Sequence, residues 1–131
     1  MNKINYLHVL KKEMLSITKH KMNLCREPFD MIASGEKTIE LRLYDEKRQL
    51  VKVGDTIIFT DLENTDKKII TEVISVNVFK SFAELYENLP VLKCGYRQGE
   101  IANPDDMLKY YSRKQEEKYG AVGIEVRKIA Y

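Results

Sequence analysis

Three side chains in one short stretch could do chemistry together: Lys37, Glu40 and Arg42, within Ser34-Gly35-Glu36-Lys37-Thr38-Ile39-Glu40-Leu41-Arg42. Residues 37–44 alternate, so Ile39, Leu41 and Leu43 fall on one face of a strand and Thr38, Glu40, Arg42 and Tyr44 on the other. Same-face neighbours lie about 7 Å apart, which sets a carboxylate beside a guanidinium. Lys37 directly follows a region ended by Gly35, from where its side chain can swing toward a cleft between helix and sheet. An ammonium, a carboxylate and a guanidinium would then converge. The same spacing also suits a plain solvated pair of Glu40 and Arg42, worth roughly 0 to 1 kcal/mol.

A second cluster lies in Leu92-Lys93-Cys94-Gly95-Tyr96-Arg97-Gln98-Gly99. Tyr96 could stack on an unpaired base while Lys93 and Arg97 meet phosphates, or the segment is an ordinary surface loop. Cys25 and Cys94 form no CxxC pair and have no histidine at zinc-ligand spacing, so neither a metal site nor another cofactor is expected. His8 and His20 read as helix-surface and strand-edge residues, and Tyr110 and Tyr111 as helix packing.

The elements that must hold these groups follow from periodicity. Ile4, Leu7, Leu10, Met14 and Ile17 line one stripe of an amphipathic helix over residues 1–18. That stripe either packs on the domain's own surface or pairs two subunits as a homodimer. His20–Cys25 reads as a strand. Pro28, Phe29, Ile32 and Ala33 belong to a short helix closed by Gly35. Thr56–Thr60 and a long run from Lys68 to Phe79 are strands, the second long enough to require a bulge or bend. A turn at Asn64-Thr65-Asp66 joins them. Ser81 and Glu84 form a capping-box pattern before a helix carrying Phe82, Leu85 and Leu89. Val91–Ala102 reads as an exposed loop. Asn103 and Pro104 open a helix that runs past Met107, Leu108, Tyr111 and Tyr119 to Gly120. Ala121–Ile129 closes the chain as a strand with Val122, Ile124 and Val126 inward. This order predicts an α+β fold: a small, curved, mostly antiparallel sheet with peripheral helices.

The chain has 131 residues, 44% hydrophobic and 32% charged, which fits one globular domain and excludes wholesale disorder. Its net charge of +2 argues against a protein that coats duplexes or membranes. The basic excess is local: residues 1–21 carry +4, leaving −2 for the remainder. Lys11, Lys12 and Glu13 break up the only leading apolar segment, so no signal peptide or membrane span is expected. A cytoplasmic protein with reduced thiols and no membrane role is the expectation.

The run Gly35, Lys37, Glu40, Arg42 resembles the GxKxxExR signature of the ASCH domain family, within the PUA-like β-barrel superfamily. Val53-Gly54-Asp55-Thr56-Ile57-Ile58-Phe59 resembles the family's GDxIxF strand, and Gly120-Ala121-Val122 its final strand. The likeness spans about residues 20–130, making 1–19 an extension and 20–131 the domain. It implies a small β-barrel with a cleft that binds RNA or a nucleotide-like ligand. In that cleft Lys37 would be a mobile point charge for a phosphate, and Arg42 a planar fork for phosphate oxygens or a guanine edge. Glu40 would orient Arg42 or accept from an exocyclic amine. Tyr96 and Arg97 complete the expected contact set. Some family members resemble small amidohydrolases that deacetylate N4-acetylcytidine, with a lysine, a threonine three residues on, and a distant glutamate. Lys37 matches that lysine, but Glu40 stands in the threonine's place. If the protein is an amidohydrolase or ribonuclease, Lys37 and Glu40 are the catalytic pair, with Glu84 or Glu87 as candidates for the distant acid.

Overall fold

Ile57, Phe59, Ile69, Val73, Val122 and Ile124 recur at strand spacing and are almost wholly shielded from water. Each contributes roughly 1.5–3 kcal/mol by leaving water. The computed structural model, which describes residues 17–130, shows how they meet. Strands β1 (Lys19–Leu24), β2 (Ile39–Leu43), β3 (Thr56–Asp61), β4 (Asn64–Phe79) and β5 (Ala121–Ala130) form one sheet in the order β1-β3-β4-β5-β2. β1 runs parallel to β3, and the other neighbours pair antiparallel. The expected helix over residues 1–18, and the homodimer contact assigned to it, fall outside the described residues.

β4 carries the curvature. Its register against β5 shifts between Ile70 and Thr71 and again between Val73 and Ser75, so the expected irregularity in this long strand is present twice. The sheet curls into a half-barrel, with β1 and β2 at its two ends. A small, curved, mostly antiparallel β-barrel was the expectation; the sheet is curved and mostly antiparallel but a half-barrel, and among the described residues no ladder joins β1 to β2. The strand β4 begins at Asn64, so the expected turn at 64–66 is displaced to the two residues before it.

Two hydrophobic clusters occupy opposite faces of β2. Within the curl, Phe29 and Ile32 of helix α1 (Arg26–Ser34) join Met22, Leu24, Ile57, Phe59, Ile69 and the inward residues of β5. On the outer face, Ile39, Leu41 and Leu43 pack with Phe82 and Leu85 of helix α2 (Phe82–Asn88) and with Cys94. β2 is therefore covered on both sides, not half-exposed. Gly123, opposite Leu41, makes room for this outer layer: a Cβ there would sit 2.6 Å from Leu89 Cδ1.

Two connections differ from expectation. Val91–Cys94 is a 3-10 turn rather than part of an exposed loop; Cys94 is buried, and Thr38 N donates to Lys93 O at 3.0 Å. The expected single helix after Asn103 is two pieces, a 3-10 segment Pro104–Lys109 and helix α3 (Arg113–Tyr119). The chain holds two start signals there. Asn103 caps the first piece through Asp105 N, and Ser112 with Gln115 builds a full capping box for the second.

Candidate nucleotide-binding cleft

Glu40 and Arg42 pair directly with Ile124 and Val122 of β5, so both point to the concave side of the sheet. At the end of the curl nearest the β1–α1 junction they meet Lys37. Lys37 Nζ lies 3.0 Å from Glu40 Oε1, while Arg42 Nε and Nη2 donate to Glu40 Oε2 at 2.9 and 2.7 Å. Lys37 is 8% exposed and Glu40 4%. Arg42 Nη2 also donates to the carbonyl of Asn23 on β1 at 2.9 Å.

Burial alone would raise the Glu40 carboxyl, but Lys37 and Arg42 outweigh it and hold it below its ordinary range. Arg42 is held protonated more firmly than usual: burial works against its charge, and Glu40 overcomes that. The three groups carry a net +1 in a site almost closed to solvent.

Above them opens a cleft of about 360 Å³, with Tyr86, Tyr96, Tyr110 and Tyr111 among its walls. Tyr86 and Tyr96 meet edge-on, centroids 5.5 Å apart and planes at 80°. The Tyr96 hydroxyl donates to Asp106 Oδ2 at 2.6 Å and accepts from Asn103 N at 3.1 Å, which pins the 3-10 segment over the cleft. Tyr111 stacks on Phe82 and lines the same cleft as Arg42. Cys94 also lines the cleft; burial pushes its thiol up to about 11 despite the opposing pull of Lys37, so it stays protonated at neutral pH.

The ASCH domain pattern matches residues 22–130. The chain belongs to the ASCH domain family. None of the curated proteins compared with it is significantly similar. Among solved structures, this ASCH domain is similar to the hypothetical protein PH0355, with 34% identity and a TM-score of 0.70. That match covers 86% of this chain and all of the other. Protein PF0455 from Pyrococcus furiosus has 30% identity and a TM-score of 0.65, over 87% of this chain and 100% of its own. ZmASCH from Zymomonas mobilis, at 15% identity and a TM-score of 0.55, covers 86% of this chain and 74% of its own, and shares the fold.

In this ASCH domain the residues of the run Gly35–Arg42 divide by task. Gly35 ends α1 in the left-handed region, φ +86°, and the backbone turns so that Lys37 N donates to Met31 O. Lys37, Glu40 and Arg42 come together; Tyr96 forms a wall of the same cleft. Arg97 does not join them, because its Nη1 donates to Glu27 on α1 at 2.7 Å. Asp55, from the second family pattern, works elsewhere. It is buried and accepts from Lys52 N, Thr18 N and His20 Nε2, tying the start of β1 to β3. His20 is thus an anchor rather than a plain strand-edge residue.

Sequence reasoning missed Tyr86, Tyr111 and Gly95. Gly95 ends the 3-10 turn in the left-handed region, φ +112°, beside Lys37; a Cβ there would meet Lys37 Cδ at an ordinary 3.4 Å, so the backbone angle rather than space asks for glycine. A glycine after the Val91–Cys94 run is the signal for such a turn end. Glu84 and Glu87, the candidates for a distant acid, are not among the cleft residues; the Glu84 carboxylate accepts from Lys80 N. Among the described residues, no group of three or more His, Cys, Asp or Glu could hold a metal ion, and no helix is long and apolar enough to cross a membrane.

Proposed function

We propose that this ASCH domain binds RNA or a nucleotide-like ligand, seating one nucleotide unit in the cleft over Lys37, Glu40 and Arg42. The observation that carries this reading is the convergence of Lys37 and Arg42 on Glu40 beneath walls of tyrosine. Aromatic faces stack bases, and cations with N–H groups to spare meet phosphate or base oxygens. A volume of about 360 Å³ lies at the lower end of small-ligand sites, the size for one unit rather than a strand. In this reading Tyr96 packs against the base, Lys37 and Arg42 donate to it, and Glu40 positions both. Arg97 stands apart in its pair with Glu27.

Binding is favoured over hydrolysis by the state of Glu40. A general base works best with a pKa near the operating pH, whereas this carboxyl is held low and both its oxygens face cations. The amidohydrolase-like alternative, with Lys37 and Glu40 as the catalytic pair, predicts turnover of N4-acetylcytidine; release of acetate beyond the uncatalysed rate would restore it.

Titration of labelled short RNAs and of mononucleotides into the wild-type chain, Lys37→Ala and Arg42→Ala tests the proposal. The variants should bind at least about tenfold more weakly while circular dichroism shows an intact fold. Equal binding by all three proteins would defeat it.

A further inference from the structure

We infer that the cleft selects its base through a carbonyl edge, taking guanine- or uracil-type rings over adenine- or cytosine-type ones. This rests on the nucleotide-binding reading above and names the ligand class for the same site.

The argument comes from which groups at the floor remain free to donate or accept. Glu40 Oε2 already takes two N–H groups from Arg42, and Oε1 takes the Lys37 ammonium. Glu40 is 4% exposed and lies behind its two cations, so the carboxylate is spent inside the protein. The donors are not spent. An ammonium carries three N–H groups, and the contact with Glu40 engages one of Lys37's. A guanidinium carries five, of which Glu40 and Asn23 O take three. The Cys94 thiol beside them is protonated and adds a weak donor. The backbone amides of Lys37 and Thr38 are occupied by Met31 O and Lys93 O. The floor therefore offers N–H groups and has its acceptor engaged.

A base edge placed there must bring acceptors without a donor among them. Guanine presents O6 and N7 side by side, and uracil presents O4; adenine flanks its N7 with an amino group and cytosine carries its amino group where uracil has O4, and that group would face the floor's own N–H groups. A phosphate would also bring oxygen, but the cleft as a whole is balanced. Lys37, Arg42 and Lys109 are matched by Glu27, Glu40 and Asp106 among its lining residues. A dianion there meets Glu40 and Asp106 as well as the cations, with Glu27 already neutralised by Arg97, whereas a neutral heterocycle needs no net field and finds tyrosine on the walls.

Calorimetric titration of the full chain with guanosine, uridine, adenosine and cytidine tests this. Guanosine and uridine should bind at least about tenfold more tightly than the other two, the discrimination expected of a well-placed pair of donors. 2-Aminopurine riboside, which lacks the carbonyl, should fall to the adenosine level, and inorganic phosphate should not compete. Lys37→Gln, which sets an amide oxygen beside an N–H, should narrow the preference to within about twofold; the ligand series decides the matter if that variant fails to fold. Equal or tighter binding of adenosine or cytidine overturns the inference and leaves nucleotide binding standing. Competition by inorganic phosphate, with no preference among bases, makes this an anion site and also overturns it. No binding of any nucleoside or short RNA overturns both readings.

Discussion

Arg42, on one end strand of the curled sheet, donates through Nη2 to the carbonyl of Asn23 on the other end strand, at 2.9 Å. The guanidinium that borders the cleft is thus also the bridge across the opening of the half-barrel. A lysine at this position would keep the charge but could not reach Glu40 and Asn23 together. Arg42→Lys should weaken ligand binding about tenfold and speed amide exchange in β1 by a similar factor, read by hydrogen–deuterium exchange. Unchanged exchange across Lys19–Leu24 would show that the bridge does not hold the edge.

Glu40 links stability to acid. Its carboxyl titrates lower in the folded chain than its ordinary value of 4.5, so the stabilisation it supplies is complete above that pH. It drains away as the pH falls through the folded-state value. Glu40→Gln leaves two buried cations without their anion and should cost about 3 kcal/mol at neutral pH, measured by urea unfolding. Below pH 4.5 the gap between variant and wild type should close. A constant gap down to pH 3 would assign the acid sensitivity to other groups.

Gly120 connects α3 to β5 with φ +74° and ψ −168°, a region open to glycine. A Cβ there would sit 2.6 Å from the backbone oxygen of Phe79, which has no side-chain freedom to yield. Gly120→Ala should therefore destabilise the domain by about 3 kcal/mol, seen as a lowered thermal midpoint. A loss below about 1 kcal/mol would mean the turn can adopt another conformation.

Removing one oxygen should loosen the roof of the cleft. Tyr96→Phe deletes the group that donates to Asp106 and accepts from Asn103, a loss of about 1 kcal/mol for solvent-accessible hydrogen bonds. Exchange protection should fall in residues 103–110 and stay constant in β3 and β4. Uniform loss across the domain would place Tyr96 in the fold rather than in the roof.

Every arginine of the chain, Arg26, Arg42, Arg48, Arg97, Arg113 and Arg127, is paired with a carboxylate. A strand-coating surface needs such groups free for phosphates. Binding of short RNA should accordingly respond weakly to salt, with log K against log salt no steeper than about −2. A slope near −4 or beyond would reveal a phosphate track outside the cleft.

The cleft's floor was legible because strand alternation and a helix-ending glycine act locally: Ile39, Leu41 and Leu43 fix which way Glu40 and Arg42 must point. The caps at Ser81 and Asn103 were legible for the same reason. The walls were not. Tyr86 sits one position beyond Leu85 on a short helix, and only the docking of α2 on the outer face of β2 decides that it turns toward Lys37. Tyr111 read as packing, and it does stack on Phe82, yet it also lines the cleft that holds Arg42. The break after Lys109 was hidden because Met107 and Tyr111 fit a continuous helical stripe, while the Ser112 capping box restarts the helix.

Ile74 is the residue left unpaired where the register of β4 slips against β5. Deleting it would set Val73 and Ser75 side by side opposite Val126 and Glu125, remove the bulge and straighten the sheet. The two ends of the sheet would then diverge, carrying Asn23 away from Arg42. The floor of the cleft thus depends on bending, and a one-residue deletion in a distant strand should open it without changing Lys37, Glu40 or Arg42.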